Sequence, residues 1–237
     1  MQSPVCPYYG SKFRVARLLG PPRYSHVIEP FAGFAAFSCL YEPAQVTLIE
    51  VNPVVCGVWR YLQRSSPAEI MRLPTDISHV DELPTWVCEE ARNFIGFWLN
   101  RFVAAPALTR CKWARNPNYA ARFWSETTKC RIAGYVDLIR HWRIIWGTYE
   151  EAPDIEAHWF IDAPYSNVAG RHYPYNDIDY AALAAWCKSR PGFVQACGND
   201  GETWLPFRPL TIASNHRARG YSVEAVCEFD NRRPRSR

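Results

Sequence analysis

No stretch of this 237-residue chain approaches the roughly 18 consecutive apolar residues that a membrane-spanning helix needs. No basic segment precedes an apolar one at the N-terminus, so no secretory signal is read. Nine cysteines are present, an odd number, and no two stand in a C-x-x-C spacing. Zinc sites built on cysteine pairs and a disulfide framework are therefore not expected. Scattered residues such as Cys39, Cys56 and Cys187 read as small apolar core side chains in a reducing compartment. There is no internal repeat, no low-complexity tract and no heptad pattern, which excludes solenoids and coiled coils. A soluble, cytoplasmic protein without a metal is the expectation.

What is present is an ordinary globular balance, 48% hydrophobic and 21% charged, and too apolar for a disordered chain. The length allows one substantial core with room for a small subdomain. Aromatic residues are abundant, with 10 Trp, 13 Tyr and 12 Phe; they serve equally for packing and for stacking on nucleobases. The net charge of +4 is unevenly spread. Between Arg92 and Arg143 there are ten Lys and Arg against only Glu126 and Asp137, whereas acids outnumber bases in the remainder. A basic segment in an acidic body suits a polyanion, although a solvated helical face has the same composition. Arg232, Arg233, Arg235 and Arg237 form a second basic patch, read as a disordered tail.

Along the chain, residues 26–31 (HVIEPF) read as a buried strand entering a turn at Ala32-Gly33, and 46–51 (VTLIEV) as a second strand. Asn52 and Pro53 then supply an N-cap and a first helical residue, followed by Val55, Val58, Trp59 and Leu62 at helical spacing. Strand, helix, strand, helix opens a doubly wound α/β sheet. A helix capped by Thr85 is expected to carry Val87, Ala91, Phe94, Ile95, Trp98 and Phe102, and another to run from Ser125 to about Arg140. Residues 65–141 therefore read as a mostly helical insertion between residues 1–64 and 142–237. Strands return at 142–146, 158–161, 193–197 and 222–229, with a helix over 177–188 capped by Asn176.

Two strand ends carry candidate chemistry. The first strand ends in a tight turn at Gly33, and the second ends at Glu50, a carboxylate able to accept both hydroxyls of a ribose. The glycine turn by itself is equally a structural feature. The other place is Asp162-Ala163-Pro164-Tyr165, an acid, a rigid turn and an exposed aromatic ring at a strand end. A carboxylate and a carbonyl can accept hydrogen bonds from an exocyclic amine while a ring stacks on an extruded base. An ordinary Asx turn followed by a packing tyrosine has the same residues.

Taken together, four segments resemble the Dam-like DNA adenine-N6 methyltransferases, in that family's order. Tyr9-Gly10-Ser11-Lys12 is similar to its N-terminal G-[GS]-K element. Glu29-Pro30-Phe31-Ala32-Gly33 is similar to the E-P-F-x-G cofactor loop, and Glu50-Val51-Asn52-Pro53 to the D-x-N-P segment. Asp162-Ala163-Pro164-Tyr165 is similar to the D-P-P-Y catalytic motif, with Ser166, Asn167 and Tyr173 in keeping.

The resemblance implies a Rossmann-like class I methyltransferase fold with helices on both faces of the sheet. It also implies direct methyl transfer from S-adenosylmethionine to N6 of adenine in double-stranded DNA, by a monomer or weak dimer without metal. Asp162 and the Ala163 carbonyl would hold the amine, Pro164 would shape the turn and Tyr165 would stack. Tyr9, Lys12, Glu29, Phe31, Ala32, Gly33, Glu50, Asn52, Thr148 and Asp162 would form the cofactor site, and Lys112, Arg115, Arg122, Lys129 and Arg131 the DNA-facing set. Departures from the family pattern are Ala163 for Pro, Ala35 for a second Gly, Glu50 for Asp, and Thr148 for an Asp that contacts the cofactor adenine. Three alternatives stay open. One is N4-cytosine modification, which more often goes with Ser at the position of Asp162. The others are a catalytically weak regulator that binds cofactor and DNA, and an interaction module.

Overall fold

A computed structural model describes residues 4–167, 170–215 and 220–232. Of the C-terminal arginines, Arg233, Arg235 and Arg237 lie outside the described residues. After a helix α1 (Phe13–Leu19), the chain alternates β1 (His26–Glu29), α2 (Ala36–Tyr41), β2 (Gln45–Glu50) and α3 (Pro53–Arg64). The helices α4 (Pro67–Arg72), α5 (Glu89–Leu99), α6 (Pro117–Ala120), α7 (Glu126–Ala133) and α8 (Val136–Ile139) follow. Then come β3 (Arg143–Trp146), β4 (Ala157–Ile161), α9 (Tyr180–Ser189), β5 (Gly192–Asn199), β6 (Arg208–Asn215) and β7 (Gly220–Asn231).

The described strands form one sheet in the order β3-β2-β1-β4-β5-β7-β6. The first five are parallel, and β7 runs antiparallel between β5 and β6. This is a doubly wound, Rossmann-like α/β sheet with helices on both faces. Its inner strands are apolar because both faces are covered. Val27 and Phe160 pack with Ala16 of α1 and Phe37 of α2, while Val46 and Leu48 pack toward α3. Their neighbours Ile28, Ile49, Trp159 and Ile161 point the other way, against Leu183, Ala184 and Cys187 of α9.

Residues 65–141 contribute no strand, and they share a core with the sheet. Phe97 of α5 lies 5.2 Å from Phe34 and 5.7 Å from Tyr8, ring centre to ring centre, and Trp59 reaches Trp142.

Several boundaries differ from the sequence reading. Asn52 caps α3 through Val54 N as expected. The helix expected from Thr85 begins at Glu89, because Val87 N donates to Pro84 O in a turn. That turn is held by the Arg92 guanidinium, which donates to the carbonyls of Val80, Leu83, Pro84 and Val87. The helix expected over 125–140 is interrupted at Gly134, between α7 and α8. The cap of α9 is Asp179, which accepts from Ala181 N and Ala182 N, whereas Asn176 donates to Gly170 O. Helices α1 and α4 and strand β6 had no counterpart in the sequence reading.

Candidate active site

Strands β2 and β3 lie on one side of β1 and β4 on the other, so consecutive connections leave the sheet in opposite directions between β1 and β4. At such a switch point the carboxyl ends of the strands open a crevice. Here it is a cavity of about 350 Å³, walled by the turns after β1, β2 and β4, the segment 8–12, and residues 173–178.

The turn after β1 is set by hydrogen bonds. Ala32 N donates to Ile49 O at 3.0 Å and Trp59 Nε1 to Gly33 O at 2.8 Å. Gly33 takes a left-handed φ of 47° and its N–H donates to Glu50 Oε2 at 2.7 Å. Glu50 Oε1 accepts from Asn52 N at 2.8 Å, so the carboxylate is oriented toward the cavity rim by two backbone donors. Burial pushes its pKa up to about 7 against those two bonds. Glu29, at the end of β1, is buried and accepts from Ser38 N at 2.8 Å; burial raises its pKa to about 8. Ala35 has φ 46°, a left-handed conformation that costs a non-glycine residue of order 1 kcal/mol. That is the backbone reason a glycine would suit this position.

One end of the cavity is apolar. Phe31 and Tyr149 face each other at 5.6 Å, with Val51 and Ile178 beside them. Thr148 lies on this wall, its hydroxyl donating to Glu151 Oε2 at 2.8 Å.

The other end is ionic. Lys12 is 4% exposed, and its ammonium lies 3.3 Å from Asp162 Oδ1, 3.9 Å from Glu224 Oε2 and 3.1 Å from Gly10 O. Burial opposes the charge on Lys12, but Asp162, Tyr165 and Glu224 together hold its pKa well above the usual value. Burial pushes the Asp162 carboxyl up while Lys12 pulls it back down. Gly10 has φ 71°, and a methyl group there would overlap the Tyr173 hydroxyl, which donates to Tyr9 O at 3.1 Å. Segment 8–12 is thus pinned against the loop that follows β4.

No family model matches this chain, and no curated protein matches it. Among solved structures it is similar to HI0767 from Haemophilus influenzae, a protein assigned as a methylase. That likeness has a TM-score of 0.34 and 11% identity, covering 88% of this chain and 80% of the other. A likeness this remote decides nothing about activity.

Around the cavity stand Tyr9, Lys12, Glu29, Phe31, Ala32, Gly33, Glu50, Asn52, Thr148, Asp162 and Pro164, all named from the sequence. Ala163 and Tyr165 are not on its wall. Ala163 is buried, and Tyr165 is not the exposed aromatic the sequence led one to expect. Its hydroxyl donates to Glu224 Oε2 at 2.8 Å, and the Lys12 ammonium sits 4.7 Å over its ring. Glu224, Tyr8 and Ile178 escaped the sequence reading as site residues; they arrive from separate elements without any local motif.

The DNA-facing set divides. Lys112, Arg115 and Arg122 are exposed. Lys112 and Arg122 lie over the rings of Trp113 and Tyr119 at 5.4 and 5.6 Å. Lys129 is a correction: its ammonium turns inward to Leu73 O at 3.1 Å and Glu126 Oε1 at 2.9 Å, with 7% of the side chain exposed. Arg131 is half-buried, its guanidinium 5.1 Å over Trp98. Of the basic run, Arg92, Arg110 and Arg140 also donate to backbone carbonyls. Much of that charge therefore holds the insertion together. Among the described residues no cluster of His, Cys, Asp and Glu could hold a metal, and no helix is long and apolar enough to cross a membrane.

Proposed function

We propose that this chain is an S-adenosylmethionine-dependent DNA methyltransferase acting on N6 of adenine. One observation carries the reading: Glu50 and Asp162 stand on one cavity at the switch point of the sheet, an apolar slot near one and an ion pair at the other. A volume of about 350 Å³ falls in the range of small-molecule sites. The donor set fits a nucleoside cofactor, with Glu50 as acceptor for the ribose hydroxyls and Phe31, Val51, Tyr149 and Ile178 as walls for its base.

S-adenosylmethionine, when bound, supplies a methyl group on a positively charged sulfur. Asp162 accepts a hydrogen bond from the target amine, which keeps the nitrogen lone pair directed at the methyl group. Lys12 favours the ionised form of Asp162 and so preserves that acceptor. Preorganised acceptors and a fixed approach supply the catalysis, since a neutral amine and a cationic sulfur disperse charge as they react. A base inside a duplex does not reach such a cavity, so it is flipped out. Lys112, Arg115 and Arg122 meet phosphates.

The test is mass spectrometry of nucleosides from unmethylated DNA incubated with cofactor and either native protein or Asp162→Ala. N6-methyladenine from the native protein alone is expected. N4-methylcytosine would reverse the base assignment, and cofactor binding without any methylated base would make the protein a regulator.

A further inference from the structure

Residues 111–122 hold two large rings out in solvent. Trp113 is 53% exposed and Tyr119 38%, and their ring centres lie 5.7 Å apart with the planes at 86°. The exposure is built into the backbone. Cys111 N donates to Leu99 O at 3.1 Å, Asn116 N to Trp113 O at 3.2 Å and Arg122 N to Tyr119 O at 2.9 Å. Asn116 Oδ1 accepts from Asn118 N at 3.0 Å, and Pro117 begins the short helix α6. Ala114, Phe123 and Trp124 are buried, which anchors the segment near its middle and at its end. Two touching rings kept in water by so fixed a segment leave apolar surface that a partner can cover.

Charge selects the partner. Lys112 lies 5.4 Å over the Trp113 ring, Arg122 lies 5.6 Å over that of Tyr119, and Arg115 is exposed on the turn between them. From residue 91 to residue 125 the chain has no acid. Trp86 is the contrast. It is 52% exposed with Arg72 5.2 Å over its ring, but Asp81, Glu82, Glu89 and Glu90 flank it in the chain. Cations beside exposed rings, with no acid among them, suit a polyanion that presents aromatic faces, and nucleic acid is one. In a duplex neighbouring bases cover those faces, so such rings meet them on an unpaired strand.

We propose that Trp113 and Tyr119, with Lys112, Arg115 and Arg122, form a platform for single-stranded DNA, the rings stacking on its bases and the cations meeting its phosphates. Every base has a face to stack on, so the platform holds the strand and leaves the choice of base to the cavity. The inference takes DNA as the polymer from the reading above and needs none of its methyl-transfer chemistry.

The experiment is fluorescence anisotropy of a labelled oligothymidylate with the native protein, without cofactor, across a series of salt concentrations. The probe has no adenine, so the proposed target base plays no part in its binding. Trp113→Ala is expected to weaken binding about tenfold, the worth of one stacked base, and to leave the slope of log K against log salt as it was. Trp113→Phe should keep most of the affinity. Lys112→Ala should reduce the slope by about 0.7, one phosphate contact on a single strand. Trp86→Ala should bind as the native protein does, and the melting temperatures of the Trp113 variants should stay near native, since the position is exposed. Native affinity in Trp113→Ala overturns the platform, as does an equal loss in Trp86→Ala or a native protein that does not bind the strand. A duplex of the same length bound with the same dependence on Trp113 overturns the assignment to an unpaired strand. Binding that depends on Trp113 in a protein that methylates nothing would leave the platform standing and remove the methyltransferase reading.

Discussion

The Tyr165 hydroxyl donates to Glu224 Oε2 at 2.8 Å, and Glu224 sits on β7 opposite Asn199 of β5. The turn after β4 is thereby tied to the far half of the sheet. The same carboxylate oxygen lies 3.9 Å from the Lys12 ammonium. A hydrogen bond to a charged, largely buried acceptor contributes about 1.5–3 kcal/mol. Tyr165→Phe is expected to lose an amount of that order in urea unfolding. Glu224→Gln should lose less, since its amide oxygen still accepts. The double variant should lose less than the sum of the two; additive losses would show that the pair is not coupled.

Asp162→Ala is expected to abolish methylation while leaving the affinity for S-adenosylmethionine within a few-fold of native. The apolar slot and Glu50 are untouched by this change. Calorimetry of cofactor binding beside the nucleoside assay separates the two effects. Parallel loss of both would mean that Asp162 supports the fold rather than the reaction.

The Glu50 carboxylate gives a pH dependence with a definite sign. Its pKa is pushed up to about 7 by burial, and only the ionised form accepts from both hydroxyls of a ribose. Cofactor affinity should therefore be full above pH 7 and decline as pH falls through it, by up to about tenfold per unit. Glu50→Gln should bind weakly at every pH and lose that dependence. Titration calorimetry on both sides of neutrality checks it; an equal decline in the variant would assign the dependence elsewhere.

What the sequence made legible was local. Asn52 and Pro53 announce a helix start, and the turn at Gly33 and the acid at Glu50 lie at the ends of short apolar runs that read as buried strands. Glu224 was invisible because nothing around it in sequence marks it; only the pairing of β7 with β5 brings it to Tyr165. The basic run misled for the same reason. Composition cannot tell Lys112, which is exposed, from Lys129, which faces Leu73, nor see that Arg92 closes the turn before α5. Ala35 is legible in the sequence only as a departure from a second glycine; its φ of 46°, the reason glycine would suit the position, belongs to the backbone and not to side-chain size. Strand β6 begins with Arg208-Pro209 and carries an irregularity between Pro209 and Thr211, which breaks the alternation that would have disclosed it.

Glu29 should make the protein less stable as pH rises. Its folded pKa of about 8 lies above the unfolded value near 4.5, so the folded state holds the proton more tightly. The resulting stabilisation is full below about pH 4.5 and is lost as pH rises through about 8. Glu29→Gln keeps an oxygen for Ser38 N and removes the proton. Its melting temperature should therefore decline less than that of the native protein between pH 5 and 8. Parallel curves for the two proteins would show that Glu29 is ionised in the fold.

The two kinds of lysine in the insertion should respond oppositely to loss of charge. Lys112→Ala with Arg115→Ala removes exposed cations and should weaken DNA binding, lower its salt dependence and leave the melting temperature nearly unchanged. Lys129→Met keeps the length of the stem but leaves Leu73 O without its donor and Glu126 without its ion pair. That change should cost about 1–3 kcal/mol of stability, the penalty for an unsatisfied buried acceptor, and leave the salt slope of DNA binding as it was. The contrast is informative because both sites lie in the same basic run. A reduced salt slope in Lys129→Met, with native stability, would mean that this ammonium leaves its buried partners to meet phosphate.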